Sequence, residues 1–231
     1  MLFKNIRRII LLLSLSSSLQ AFNWEFNPYV GIYTQWKRIS FKEGFGNNLF
    51  THLYPQIYGY AGIKLHKNIA FEIGYETGRT RTRVVALTTG DCAAGTPIPA
   101  IISPAIFAGR AKLSGINIGF VGFYAPVDPK FELLGLLGIS YVTGSFERHT
   151  IQVRGIPYGR SRKLKDRKAV LHMGAGFQYS FWEHVSIRGM IGWKNTGRMV
   201  LFAKDGIPGL YLPEVRLRNS ITYSIGLVWR Y

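Results

Sequence analysis

The last fifteen residues of the chain, 217–231, alternate between two kinds of side chain. Every second residue counted back from the C-terminus is large and apolar, namely Tyr231, Trp229, Leu227, Ile225, Tyr223 and Ile221. The intervening residues are small or polar, except Val228. A period of two predicts a β-strand with one apolar face. Aromatic residues at both ends of that face are typical of a strand that crosses a bilayer.

The composition favours a sheet over helices. The chain has 231 residues, 26 of them glycine, and 47% of its residues are hydrophobic. Beyond the first fifteen residues, no apolar run approaches the roughly 18 residues that a transmembrane helix needs. Strands cross a bilayer only as a closed barrel, because an open edge would leave backbone groups unpaired in lipid. We therefore expect a single β-barrel domain.

The N-terminus has the three parts of a secretory signal peptide. Lys4, Arg7 and Arg8 form a basic start, residues 9–15 are apolar, and residues 16–21 offer a cleavage region. Charge only at its start and the lack of a polar face argue against an amphipathic helix. The sequence predicts a signal peptide over 1–21 and a barrel domain over 22–231, with the cleavage site open by a few residues.

The remainder of the chain predicts eight alternating segments: 28–38, 54–66, 69–83, 112–124, 131–146, 169–180, 185–194 and 217–231. The connections alternate between long and short. The long ones are 40–53, 84–107, 147–168 and 199–216, and the short ones lie near 66–68, 125–129 and 181–183. The four long connections therefore share one end of the barrel, and both termini lie at the other. In outer-membrane barrels the long loops face outward and the short turns face the periplasm.

Two other architectures remain open at this point. The segment 131–146 is apolar on both faces, as a strand in a soluble core would be. A secreted lipocalin-like barrel would place its apolar residues inside. A ten-stranded barrel would result if the connection 84–107 formed a further hairpin.

With its signal-like start, alternating segments, four long connections and aromatic end, the chain resembles the small eight-stranded outer-membrane β-barrels of Gram-negative bacteria, the OmpA-type and opacity-like surface proteins. The resemblance covers residues 26–231. Tyr231 departs from the phenylalanine that usually ends such proteins. The resemblance implies an all-β, antiparallel up-and-down transmembrane barrel. It also implies a monomeric structural protein of the cell surface with periplasmic termini, whose extracellular loops act as an adhesin or bind anions.

The predicted inward faces carry charges of both signs: Lys37, Lys64, Glu72, Glu76, Glu132, His172, Arg188, Lys194, Arg218 and Arg230. The interior of an eight-stranded barrel is just wide enough for side chains to fill it. Charges buried there must pair. We expect Glu72 and Glu132 to meet Arg188, Arg218 or another lumen cation in a packed ionic plug. A narrow pore is the alternative.

The connection 147–168 is strongly basic, with eight cationic residues against Glu147 and Asp166, an excess of +6. Arginine and lysine bind phosphate and sulfate through charge-assisted hydrogen bonds. Because a secreted protein does not meet nucleic acid, we expect lipopolysaccharide phosphates or sulfated glycans as partners. A merely solvated loop is the alternative. The candidate anion-binding residues are Arg160, Arg162, Lys163, Lys165, Arg167 and Lys168.

Signals for catalysis are weak. The triplet His184-Val185-Ser186 resembles in outline the His-x-Ser of lipid A deacylase barrels, where histidine activates a serine nucleophile. Here it adjoins a short turn, at the wrong end to reach the outer leaflet. The other histidines are scattered, and Cys92 has no second cysteine to pair with. The sequence therefore predicts no enzyme, no metal or cofactor site and no internal disulfide.

Overall fold

The computed structural model describes residues 26–41, 50–87, 105–153, 155–196, 200–202, 205–207, 210–212 and 215–231. The predicted signal peptide over 1–21 and Cys92 lie outside these residues. The division into 1–21 and 22–231 therefore stays a prediction.

The described residues form twelve strands. They are β1 (Asn27–Phe41), β2 (Leu53–His66), β3 (Ile69–Gly78), β4 (Arg81–Leu87), β5 (Ala105–Tyr124), β6 (Phe131–Val153), β7 (Ile156–Ser180), β8 (Val185–Lys194), β9 (Val200–Phe202), β10 (Asp205–Ile207), β11 (Leu210–Leu212) and β12 (Val215–Arg230). Each of the eight predicted segments is present, and most extend further than the sequence indicated. No helix long and apolar enough to cross a membrane occurs among these residues.

Eight of the strands form a closed antiparallel ring in the order β1-β2-β3-β5-β6-β7-β8-β12, and β1 pairs with β12 to close it. The predicted eight-stranded up-and-down barrel is confirmed. The ten-stranded alternative is wrong, because β3 pairs directly with β5 across the connection 84–107. Of the remaining strands, β4 continues the wall by pairing with β5, β9 pairs with β12, and β10 pairs with β11.

The outer wall is apolar and the interior is polar. Ile32 is 57% exposed and Leu227 is 51% exposed, whereas Gln178 is fully buried inside. Exposed Trp36 and Tyr223 lie at one end of the apolar belt, and exposed aromatic residues such as Trp229 lie at the other. This pattern is the reverse of a soluble barrel, so the lipocalin-like alternative is wrong. The apolar belt with aromatic margins is the surface that a bilayer covers.

We call the end with the short turns and the C-terminus the turn end, and the opposite end the loop end. Near the turn end, tyrosine rings lie over glycines and fill the lumen. A Cβ atom on Gly31 would collide with the ring of Tyr60, and one on Gly74 with the ring of Tyr58. The hydroxyl of Tyr33 donates to that of Tyr60 at 2.9 Å. Glycine is needed at these positions so that the rings can approach the wall.

The predicted loop 147–168 is wrong as a loop. Strand β6 runs on to Val153 and β7 begins at Ile156, so the basic segment is a β-hairpin that extends the barrel wall. Gly155 adopts φ of 79° at its tip, a conformation that favours glycine. The sequence predicts a loop here because the segment has no apolar face. Outside a bilayer, however, ladder hydrogen bonds form without one.

The strand β5 likewise begins at Ala105 instead of near Lys112, and pairs with the lengthened β6. Together β4, β5, β6 and β7 form a sheet that continues the wall at the loop end, which we call the extension. On its inner face, Phe107 and Phe146 are fully buried.

A β-bulge changes the alternation at the start of β12. Ile39 pairs with Ser220 and Phe41 pairs with Leu217, so β12 has one residue more than β1 in this interval. Leu217 consequently takes the inward position and is buried, while Arg218 is exposed. The predicted lumen position of Arg218 is therefore wrong, because counting in twos from the C-terminus fails beyond the bulge.

Candidate functional site

Glu76 lies at the centre of the first lumen cluster. Its carboxylate forms ion pairs with Lys37 and with Lys194, the latter at 2.8 Å. Gln35 Nε2 donates to the same carboxylate at 3.1 Å, and Lys194 Nζ also donates to Asn117 Oδ1 at 2.7 Å. All five side chains are buried. One carboxylate shared by two lysines leaves a positive excess that the neighbouring amide oxygen of Asn117 helps to offset.

A second cluster surrounds Arg188 closer to the turn end. Its Nη1 lies 2.5 Å from Glu72 Oε1, and its Nε donates to Gln178 Oε1 at 2.7 Å. The hydroxyl of Tyr29 donates to Glu72 at 2.6 Å. The guanidinium lies 5.2 Å from the ring centre of Tyr60, within cation–π range. Two charges and several aromatic rings therefore block the lumen at this level.

A third cluster lies at the turn end. Glu132 pairs with Lys64 Nζ at 3.0 Å and with Arg230 Nη2 at 2.6 Å, and it accepts from Gln178 Nε2 at 3.1 Å. Glu132 therefore meets lumen cations other than Arg188 and Arg218, the two named from the sequence. Shared Gln178 links this cluster to the one around Arg188.

Across the three clusters, three carboxylates are paired with five cations. A small cavity between the first two is lined by Tyr33, Tyr58 and His172 along with the charged residues. Within the described residues, ionic and aromatic side chains fill successive levels of the lumen. The described part of the lumen is therefore packed with side chains.

The outer face of the extension carries a different arrangement. Lys163, Lys165 and Arg167 follow one another at every second position of β7, and Arg110 and Lys112 do so on β5. Between these two columns, β6 presents a polar column that includes Ser145 and Glu147. Ladder pairs join Arg110 to Glu147 to Lys163, and Lys112 to Ser145 to Lys165. We call the five cationic residues of this face the basic face.

The dimensions of the basic face follow from strand geometry. Neighbouring strands lie about 4.8 Å apart, so the β5 and β7 columns are separated by about 10 Å. Along each column, successive cations are about 7 Å apart. Ser161 donates to Glu147 Oε1 at 2.7 Å, so the acidic residue is hydrogen-bonded within the face.

The structure divides the six residues that the sequence grouped together. Arg162 and Lys168 lie on the opposite face of β7 from Lys163, Lys165 and Arg167, because alternate residues of a strand point to opposite sides. The side chain of Arg160 lies outside the described part of the chain. Of the five predicted residues whose side chains are described, three therefore share the basic face.

Sequence reasoning missed Arg110 and Lys112. They lie far from the basic segment in the chain, and β-pairing with β6 brings them to it. The sequence nevertheless indicates where they point. Counted in twos along β5 from the outward-facing Ile116 and Ile118, both residues fall on the outer face toward the loop end. If the alternating pattern of β5 is followed toward the N-terminus beyond its apolar residues, it predicts both side chains on the outer face.

The sequence matches no known family model, and no curated protein matches it. Solved structures do match the fold. The attachment invasion locus protein Ail of Yersinia pestis is 12% identical, with a TM-score of 0.50, over 90% of this chain and 99% of that one. Neisserial surface protein A is 12% identical, with a TM-score of 0.53, over 88% and 97%. The outer membrane protein OprG of Pseudomonas aeruginosa is 9% identical, with a TM-score of 0.53, over 91% and 98%.

This chain has the fold of the small outer-membrane β-barrels. The likeness extends over nearly the full length of each of these proteins, and it agrees with the apolar belt and the closed ring. The family resemblance read from the alternating segments is therefore confirmed at the level of fold.

In this outer-membrane barrel, the residues of the weak catalytic triplet have separate neighbours. Ser186 is buried and its Oγ lies 2.9 Å from Ser180 Oγ. His184 is exposed in the turn and stacks on the ring of Trp229, with 6.1 Å between ring centres. No group of three or more His, Cys, Asp or Glu side chains suited to a metal ion occurs among the described residues.

Proposed function

We propose that this outer-membrane barrel is a non-enzymatic surface protein that binds sulfated or phosphorylated glycans through the basic face. The observation that carries the proposal is the pair of cationic columns on β5 and β7 with a polar column between them. In this proposal residues 1–21 are a signal peptide, the loop end faces the outside of the cell and both termini are periplasmic. The barrel acts as a monomer without a cofactor and has no nucleic-acid partner.

An anionic chain fits this surface by charge and by shape. If the anionic chain lay along β6, the cations of β5 and β7 would flank it on both sides. Its sulfate or phosphate groups could then accept charge-assisted hydrogen bonds from them. The basic face has five cations, and within it Glu147 is already bonded to Ser161. Lipopolysaccharide phosphates and sulfated host glycans share the chemistry that these cations recognise.

The contribution of the lumen to this proposal is structural. Its ionic clusters hold the wall strands in register and close the interior, so solute passage is not part of the function. The alternative of a narrow pore has no supporting feature at the levels of Glu76 and Arg188, where paired charges and rings fill the described lumen.

The test compares two double variants of one strand. Lys163→Ser/Lys165→Ser removes two charges from the basic face, and Arg162→Ser/Lys168→Ser removes two from the opposite face. We expect the first to elute from immobilised heparin at clearly lower salt than the parent, and the second to elute close to the parent. Equal losses would show that net charge alone is recognised, and no loss in either would contradict glycan binding through this sheet.

The salt dependence provides a second measurement. At about 0.15 M salt the Debye length is about 8 Å, and near 1 M it is about 3 Å. Heparin retention of the parent should therefore disappear as salt approaches about 1 M. Retention that persists there would indicate an apolar contact, which the basic face does not offer.

A further inference from the structure

We propose that the barrel has a second anion site, for the phosphorylated headgroup of a membrane lipid, in a recess at the loop end. The recess is open, has a volume of about 540 Å³ and is lined by Arg38, His52, Arg83 and Arg218 together with Ser40 and the backbone neighbours Ile39 and Phe41. We call it the arginine recess. Among its described lining there are three guanidinium groups and no carboxylate.

Three separate features of the fold bring these arginines together. Arg38 lies on the outward face of β1. Its ladder partners Leu53 and Ile221 are exposed apolar residues of the wall. Arg218 is turned out of the lumen by the bulge in β12. Arg83 reaches the recess from β4, where its Nη1 donates to the carbonyl of Phe50 at 3.4 Å.

The level of the recess indicates which anion it meets. Trp36 and Tyr223 are ladder partners, both exposed, and they form the aromatic margin of the belt directly below it. Such rings lie at the boundary between hydrocarbon and headgroups. At about 3.4 Å per residue, Arg38 lies about 7 Å beyond Trp36 along the strand. Because the strands of such a barrel are tilted by about 35–45°, this is about 5 Å along the membrane normal, which places Arg38 in the headgroup layer.

The chemistry of the recess favours phosphate. Guanidinium presents a planar fork of donors that matches phosphate oxygens, and several such forks together suit a group with more than one negative charge. Because Arg38 is on the lipid-facing side, the acyl chains of the ligand can lie on the apolar wall below. We therefore assign the site to a phosphorylated lipid and not to a soluble anion.

The arginine recess is independent of the basic face. It is lined by residues of β1, β4 and β12 and by His52 just before β2, and it shares no residue with the basic face on β5 and β7. Strand β4 pairs with β5, but Arg83 pairs with Gly109 and so lies on the opposite face of that sheet from Arg110. The two proposals fail separately, because the test below changes no residue of the basic face.

The test measures lipid retained by the folded, detergent-solubilised barrel in native mass spectrometry. The probes are diphosphorylated lipid A, its dephosphorylated form and its deacylated, water-soluble diphosphorylated sugar. We expect the parent to retain the first most strongly. Arg38→Ser/Arg218→Ser should weaken that retention by about tenfold or more, since two charge-assisted contacts are lost. The matched control Lys67→Ser/Lys130→Ser removes two exposed lysines at the turn end and should behave as the parent.

Three results would overturn the proposal. The first is that the parent retains phosphorylated and dephosphorylated lipid equally. The second is that lipid retention is weakened equally in the arginine variant and in the lysine control. The third is equal binding of the acyl-free sugar, which would identify a soluble anion as the ligand. Arg38→Lys/Arg218→Lys keeps the charge without the planar fork, and its expected retention lies between those of the parent and the serine variant. Different migration of heated and unheated samples verifies that every variant is folded.

Discussion

Arg188 and Glu72 are 116 positions apart in the chain and form an ion pair of 2.5 Å across the interior of the barrel. Arg188 is 2% exposed and Glu72 is 4% exposed, so both charges are almost completely removed from bulk solvent. Each side chain depends on the other and on nearby hydroxyl and amide groups. This dependence makes the lumen sensitive to the loss of a single charge.

We predict that Glu72→Gln lowers the free energy of unfolding by roughly 3–5 kcal/mol, because it leaves a buried guanidinium without its counter-charge. Urea unfolding in lipid vesicles, followed by tryptophan fluorescence, measures the change. Glu183→Gln is the control, since Glu183 is exposed in the turn before β8. If the two variants were equally stable, the ion pair would have no structural importance.

A second prediction concerns the two faces of β12. Leu227→Arg places a charge on the lipid-facing wall near mid-depth, where it costs roughly 2–4 kcal/mol. Ser224→Arg, on the polar inner face, should be milder. The folded fraction after insertion into lipid vesicles measures both. Equal impairment would mean that the inward and outward faces are assigned wrongly.

A third prediction tests the contact between tyrosine and glycine in the lumen. Gly31→Ala forces the ring of Tyr60 to move, and overpacking of this kind costs roughly 1–3 kcal/mol. Gly59→Ala in the adjacent strand is the matched control, because a Cβ there has no neighbour within 4 Å. Urea midpoints should fall for the first variant and stay near that of the parent for the second. The opposite order would contradict the described packing.

A fourth prediction follows from ring closure. In a closed barrel every wall strand is paired on both sides, so detergent alone should not unfold it. Unheated and boiled samples should therefore migrate differently in detergent gels. Identical migration, together with recovery in the soluble fraction, would contradict a membrane barrel.

The architecture could be predicted because lipid imposes a strict rule on the sequence. Every second residue of a wall strand must be compatible with hydrocarbon, so Leu227 and Ile225 on β12 or Ile116 and Ile118 on β5 reveal both the strand and its outward face. The same parity placed Glu72 and Arg188 inside. Within the membrane, sequence reasoning therefore gave the fold and the lumen-facing residues.

Beyond the membrane that rule no longer applies, and the predictions failed there. Strands surrounded by water need no apolar face, so the basic hairpin of β6 and β7 lacks the alternating pattern that reveals a strand. Its sequence therefore predicts a loop. A count of alternate residues predicts Arg218 in the lumen, because a bulge leaves no signal in such a count. In the lumen, the pairing of Glu132 with some cation is expected from the sequence, but which cations it meets depends on side-chain reach across the barrel, which no spacing along one strand records.

The continuity of β6 and β7 also has a mechanical consequence. Each passes from the turn end through the wall and into the extension as a single strand, paired with its neighbour over almost its whole length. Within these two strands, no break separates the extension from the part of the barrel that carries the apolar belt. Tension applied at the loop end is therefore transmitted along two hydrogen-bonded backbones to the whole barrel, and the apolar belt held in lipid resists the pull.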